Sequence, residues 1–325
     1  MRFIFYSFLA FLLMAFLAVG VSVYQYKNNH TPSEVTLIIA PKTGTRAMLA
    51  QLHEAGLVPH PMLTVIPMLM NADYTRLQAG EYAFAAGSTP AQVIDKIARG
   101  EVVVHKITIP EGWTVAQVRA ALMAEPLLTG ELPATIAEGS LLPDTMHFAR
   151  GEARAHVIER MQKAQAEVID TLWPARAEGL PINTPQEAII LASVIEKETG
   201  LGSERGLVAG VFTNRLRLGM MLQSDPTVVY GIEAAQGHTP MGRALSKADL
   251  ARDTAHNSYT RAGLPPTPIC NPGRAALETA LHPQATDALY FVATGTGGHR
   301  FAATLKEHEA NVAAYRAVVK AIKTQ

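Results

Sequence analysis

The chain has 325 residues, with 28 lysines and arginines against 28 aspartates and glutamates, so its formal charge is zero. A phosphate backbone selects a basic excess, which excludes nucleic acid as a main partner. The single cysteine, Cys270, excludes an internal disulfide and a thiolate metal cluster, and the length suits one large domain or two moderate ones.

No charged residue occurs between Phe3 and Tyr26, in "FIFYSFLAFLLMAFLAVGVSVYQY". A membrane-spanning helix needs about 20 apolar residues, and Tyr24 and Tyr26 stand where aromatic rings favour the interface. A cleaved signal would have a shorter apolar core and a small-x-small exit; this run is longer and its end bulkier, so it reads as an anchor. Arg2 precedes it and Lys27 follows, a charge difference too small to fix the orientation. "KNNHTPSE" (27–34) reads as a short polar tether.

Beyond it, "VTLIIA" (35–40) and "VVVHKITIP" (102–110) are rich in β-branched residues and predict strands. "FAAGSTPAQV" and "IPEGWTVAQV" share the pattern G-x-T-x-A-Q-V at Gly87 and Gly112. In each, Thr89 with Gln92 and Thr114 with Gln117 form a capping box, so helices begin at Pro90 and Val115. The pattern fits duplication and recurrent turn grammar equally. Residues 35–125 thus predict a small α+β module. Helical spacing then runs from Ala153 to Trp173, with Val157, Met161, Ala164, Val168 and Leu172 on one stripe, and "PARAEGLPINT" (174–184) marks a boundary.

Thr184-Pro185-Gln186-Glu187 opens the next helix with a capping box and a proline at its first position. Its apolar run, "AIILASVI", ends in Glu196, Lys197 and Glu198 before Gly200. Two acids at a helix C-terminus oppose the dipole, and such costly placements mark candidate functional sites; the alternative is a solvated end neutralised by Lys197 and later basic residues. Ser203 is positioned to cap a helix ending at Gly219. Ser224 or Asp225 is positioned to cap a short one running to Tyr230. Gln223, Ser224, Asp225 and Tyr230 cluster near these turns. The proline-rich loop 256–273 adds Asn257 and Tyr259, and long ordered loops carry function. A hairpin (289–304) and a helix from Leu305 close the chain. One acid among amide, hydroxyl and aromatic groups suits a sugar polymer, with Gln223, Asp225, Tyr230, Asn257 and Tyr259 as candidate substrate contacts. "HEANV" lacks a second histidine for zinc, no G-x-S-x-G elbow occurs, and "TGTGGH" precedes no helix. No cofactor or metal is therefore expected.

The stretches "ASVIEKET", "SERGLVAGVFTNRL", "QSDPTVVYG", "NSYTRAGLPPTPICNPG", "ALYFVATGTGGHRF", "IPEGWT" and "EGSLLPDT" resemble the YceG-like family of membrane-anchored endolytic murein transglycosylases. The resemblance covers about residues 35–320. The departures are Ser140 and Met146 at frequent aromatic positions, His256 for a frequent Tyr and Cys270 for a frequent Ala. The resemblance implies an α+β protein: a transmembrane anchor (1–26), the tether (27–34), a LysM-like module (35–125), a connecting helical region (126–180) and a mainly helical catalytic domain with a β-hairpin (181–325). It implies a single-pass inner-membrane protein with a cytoplasmic N-terminus and a periplasmic catalytic domain. Its partners would be peptidoglycan glycan strands, the inner membrane and peptidoglycan synthases. Glu196, the first acid of E-K-E-T, would be catalytic, with Glu198 in support. A lytic transglycosylase uses the sugar's own 6-hydroxyl, so one acid with a raised pKa could serve twice, as donor and then acceptor. Two rivals remain: a non-catalytic glycan-binding scaffold, and a hydrolase with Asp225 as second carboxylate.

Overall fold

A computed structural model describes residues 2–69 and 77–324. It separates into two units: residues 1–106 with 127–129 and 147–152, and residues 107–126, 130–146 and 153–325.

In the first unit, α1 (Arg2–Asn28) has 27 residues, a length of about 40 Å at 1.5 Å per residue. Among the described residues its stretch from Ile4 is the one helix long and apolar enough to cross a membrane. Its side chains from Ile4 to Leu17 are largely exposed, whereas Ser22 and Tyr26 are buried. After α1 come β1 (Val35–Ile39), α2 (Thr45–Glu54), α3 (Pro61–Leu69), β2 (Gly80–Phe84) and α4 (Pro90–Arg99). β1 and β2 pair antiparallel, Val35 opposite Phe84 and Ile39 opposite Gly80. Leu49, Leu52, Tyr82, Val93, Ile94 and Ile97 fill the core beneath them. Each such side chain contributes about 1.5–3 kcal/mol on leaving water.

The stretch expected to be a tether is pinned. Thr31 is buried; its amide donates to the Ser88 carbonyl at 2.9 Å and its carbonyl accepts from the Gly87 amide at 2.9 Å. Its hydroxyl donates to the Ala85 carbonyl at 2.8 Å. The Ser22 hydroxyl donates to the Leu63 carbonyl of α3, so the end of α1 is held as well.

β3 (Val104–Thr108) pairs with β4 (Thr145–Ala149), and α5 (Val115–Ala124) lies between them in sequence. Both capping boxes are present, at Thr89 and Thr114. Gly87 and Gly112 carry the two preceding turns at φ +82° and +77°, a region glycine enters without penalty. The second turn is built into the larger unit: the Gly112 amide donates to Asn271 O at 3.0 Å and the Asn271 amide to Trp113 O at 2.8 Å. The expected module 35–125 is therefore divided, with residues 107–125 in the second unit.

The second unit continues with α6 (Arg154–Leu172), α7 (Pro185–Glu198), α8 (Gly202–Arg217), α9 (Asp225–Ala235), the short α10 (Lys247–Leu250), α11 (Arg274–Leu281), β5 (Tyr290–Ala293), β6 (His299–Ala302) and α12 (Leu305–Thr324). Val157, Met161 and Val168 of the α6 stripe are buried. The Thr184 hydroxyl accepts from the Glu187 amide at 3.2 Å, starting α7, but the predicted capping box is half formed, because the Glu187 carboxylate accepts from the Asn183 amide and not from that of Thr184. The run from Ile190 to Ile195 is wholly buried, and its Leu191, Ala192, Val194 and Ile195 pack in one core with Leu277, Ala280 and Leu281 of α11 and Phe212 of α8. Two predicted caps differ. Leu201 occupies the N-cap of α8, so Ser203 lies inside its first turn. Ser224 stands at the N-cap of α9 but makes no capping bond, and the helix runs past Tyr230 to Ala235.

Candidate active site

Helix α7 must end where its apolar run ends, and the last turn delivers two carboxylates to two places. Residues two apart on an α-helix point about 200° from one another, so Glu196 and Glu198 cannot share a site. Glu196 accepts the Gly273 amide at 3.0 Å, 3.9 Å from the Arg205 guanidinium. Burial raises its pKa, opposed by the Gly273 amide, with Glu111 adding to the rise and Arg205 and Lys197 reducing it. Its neighbour Lys197 donates to the Gly112 carbonyl at 3.3 Å. This end of α7 therefore clamps the 110–113 turn and the loop that enters α11.

Glu198 faces a cleft of about 300 Å³ together with Arg215, Gln223, Asp225, Tyr259 and His299, walled by Phe291. The Ser224 hydroxyl donates to one carboxylate oxygen of Glu198, which explains why Ser224 does not cap α9. Burial pushes the Glu198 carboxyl up to about 7; the Ser224 bond opposes this, Asp225 adds to it, and His299 and Arg215 reduce it. A carboxyl raised this far can hold a proton near neutral pH and give it to a leaving oxygen.

The polar walls are fixed. Arg215, 6% exposed, donates to the Leu289 carbonyl at 2.6 Å, the Leu222 carbonyl at 2.8 Å and the Gln223 side chain at 3.4 Å. It thereby joins α8 to the hairpin, and burial lowers its pKa. Gln223 sits at φ +49°, a strained position for a residue with a Cβ, held by the hydrogen bond its backbone amide donates to the Ser258 carbonyl at 3.0 Å. The Tyr259 hydroxyl donates to Asp225 at 2.6 Å, so Asp225 serves the cleft and not the helix cap.

Of the five predicted contacts, Gln223, Asp225 and Tyr259 meet at Glu198. Tyr230 and Asn257 do not line this cleft. Tyr230 is 8% exposed, its hydroxyl 3.4 Å from Glu138 and its ring edge-on to His256 at 4.8 Å. Asn257 is fully buried. Its amide group donates to the carbonyls of Leu250 at 3.0 Å and Arg252 at 2.7 Å, and its oxygen accepts the Tyr259 amide at 2.8 Å. With its polar atoms spent on the loop, it places Tyr259. Glu138, Arg215, Glu204 and His299 were not among the predicted site residues. Glu138 opens "EGSLLPDT", where the motif itself was the available signal; Glu204 and His299 are 95 residues apart and carry no shared pattern.

The sequence profile of the YceG-like family matches residues 37–314. An endolytic murein transglycosylase of Bacillus subtilis is 33% identical over 263 residues, 71% of each chain. One of Streptococcus pneumoniae is 29% identical over 363 aligned positions, 94% of this chain; the chain spans 64% of that relative's length. A crystal structure described as a yceG-like protein, from Listeria monocytogenes, aligns over 86% of this chain and 99% of its own with a TM-score of 0.51 at 28% identity. The profile covers most of the chain, cleft residues included, and the chain belongs to the YceG-like family.

Proposed function

We propose that this protein is a membrane-anchored lytic transglycosylase that cleaves peptidoglycan glycan strands internally and leaves 1,6-anhydro-N-acetylmuramic acid ends. The names of its relatives support the reaction class. The observation that carries the mechanism is Glu198, a buried carboxyl raised to about 7 at the wall of a polar cleft. Glu198, rather than Glu196, is then the acid that protonates the glycosidic oxygen. Glu196 has one oxygen on a backbone amide and serves the α7–α11 junction. The 6-hydroxyl of the muramyl sugar attacks its own C1, so no water enters the product. Gln223, Asp225 and Tyr259 would orient the sugar.

In this reading α1 is a single-pass anchor in the inner membrane with its N-terminus in the cytoplasm. The smaller unit is a LysM-like portion that meets glycan close to the bilayer, and the larger unit cuts in the periplasm. Cleavage there would set the length of strands as synthases release them.

Digesting purified glycan strands and identifying the new ends tests this. Glu198→Gln keeps the shape and removes the proton, and should lower turnover at least about a hundredfold without loss of glycan binding. Glu196→Gln should retain far more activity. The opposite order would return the acid role to Glu196. Reducing ends would mean a hydrolase, and Asp225, in the same cleft, would become its second carboxylate. Intact strands with every variant and the parent protein would leave a binding scaffold.

A further inference from the structure

No Asp, Glu, Lys or Arg occurs between Glu54 and Asp73, and α3 lies within that gap. It packs against α1. Thr64, Pro67 and Met68 are its buried side. Met62, Ile66 and Leu69, spaced i, i+4 and i+7, form the opposite face; Met62 is 73% and Leu69 80% exposed, with Ile66 half-buried between them. Scattered apolar side chains on a surface need no explanation, but this stripe has a backbone feature beside it. Pro67 has no amide hydrogen to give the Leu63 carbonyl, four residues earlier. That carbonyl accepts instead from the Ser22 hydroxyl of α1, and Ser22 is buried. A helix facing water can leave such a carbonyl to solvent; a helix entering lipid must satisfy it within the protein.

The same bond sets a depth. At 1.5 Å per residue, about 30 Å of hydrocarbon takes about 20 residues, and counted from Phe3 these end at Ser22. Ser22 therefore holds α3 where the hydrocarbon gives way to headgroups, next to the open side chains of Val21 and Tyr24 on α1. We propose that α3 enters the bilayer surface beside α1, on the side away from Arg2, with Met62, Ile66 and Leu69 among the lipid chains. Interfacial helices sink an apolar face about 5–10 Å, a depth that suits one stripe of side chains. A stable protein interface needs about 800 Å² per partner, more than three side chains offer. The smaller unit then touches the membrane twice, through the span and through α3. The proposal rests on the anchor in the reading above and is independent of the reaction.

The test puts one nitroxide spin label on each full-length molecule, reconstituted into vesicles of phosphatidylethanolamine and phosphatidylglycerol. Cys270, the buried native thiol, is replaced by Cys270→Ala. Labels at Met62→Cys, Ile66→Cys and Leu69→Cys are compared with two references: Leu12→Cys in the middle of α1, and Glu101→Cys, whose parent side chain is charged and exposed. Relaxation by oxygen, which partitions into lipid, is set against relaxation by a nickel chelate, which stays in water. The three α3 labels should favour oxygen, at a depth between the references, and the Glu101→Cys label should favour nickel. If Ile66→Cys melts early, the two exposed positions still decide. Nickel access at Met62→Cys and Leu69→Cys equal to that at Glu101→Cys, with Leu12→Cys still deep, overturns the proposal. So does spin coupling between α3 labels on two molecules that persists on dilution into excess lipid, because the face would then join two copies of the chain. Failure of the anchor itself looks different: the Leu12→Cys label is then open to nickel.

Discussion

Glu198 and Glu138 are both pushed up to about 7 by burial, yet only Glu198 lines the cleft. Glu138 accepts from the Val115 amide at 2.8 Å, from the Asn271 side chain at 3.3 Å and from the Tyr230 hydroxyl at 3.4 Å; the Val115 and Tyr230 bonds oppose its rise without cancelling it. A carboxyl whose folded pKa exceeds its unfolded value keeps a proton that the unfolded chain has released. Its stabilising contribution is complete below about 4.5 and is lost as pH rises through about 7. A shift from 4.5 to about 7 corresponds to about 3 kcal/mol. The melting temperature of the larger unit should therefore fall from pH 5 to pH 8. Glu138→Gln, which keeps an accepting oxygen and can donate to Tyr230, should flatten that slope and raise stability at pH 8 by about 1–3 kcal/mol. Calorimetry across that range decides; an unchanged slope would show that Glu138 is ionised in the folded protein.

Helix α9 shows how a cap can be spent elsewhere. Serine before Asp-Pro is a standard start, and its loss from a working cap costs about 1 kcal/mol. Here the hydroxyl goes to Glu198, so Ser224→Ala should change stability by less than that. It should instead remove the bond that holds the Glu198 pKa down. The basic limb of the activity profile should then move to higher pH; a limb that stays put would mean Ser224 has no influence on the acid. The same element shows why part of the site was unreadable. The sequence carries period, caps and turns, so both capping boxes, the hairpin and the buried course of α7 were legible. It also carried the polar character of Gln223, Asp225 and Tyr259. It does not carry which face of a helix end meets the cleft, and Glu196 and Glu198 differ only in that. Ser203, a plausible cap, is passed over because α8 begins earlier, at Gly202. Asn257 and Tyr230 have the chemistry of sugar contacts, but their hydrogen bonds close inward on the loop and on Glu138.

At the scale of the molecule, the proposed span would set where the rest can work. About 30 Å of α1 suffices for the hydrocarbon core, and the helix continues to Asn28. A reporter fused after Gln325 should be active only outside the cytoplasm, and the protein should resist extraction by high salt. A reporter active only inside would overturn the topology and, with it, access to peptidoglycan. Thr31 and Ser22 tie the smaller unit firmly to α1. With the chain after α1 bonded to the 85–88 turn and the helix end bonded to α3, the smaller unit is mounted on α1 like a bracket on a rod. A slack leash would let it sample a hemisphere of heights; a bracket transmits every degree of tilt of the rod. If α1 spans the bilayer as proposed, a change in bilayer thickness that α1 meets by tilting would change the angle at which the unit meets the wall, and uncoupling the two would take both glycines inserted after Asn28 and Ser22→Ala, since each contact holds separately.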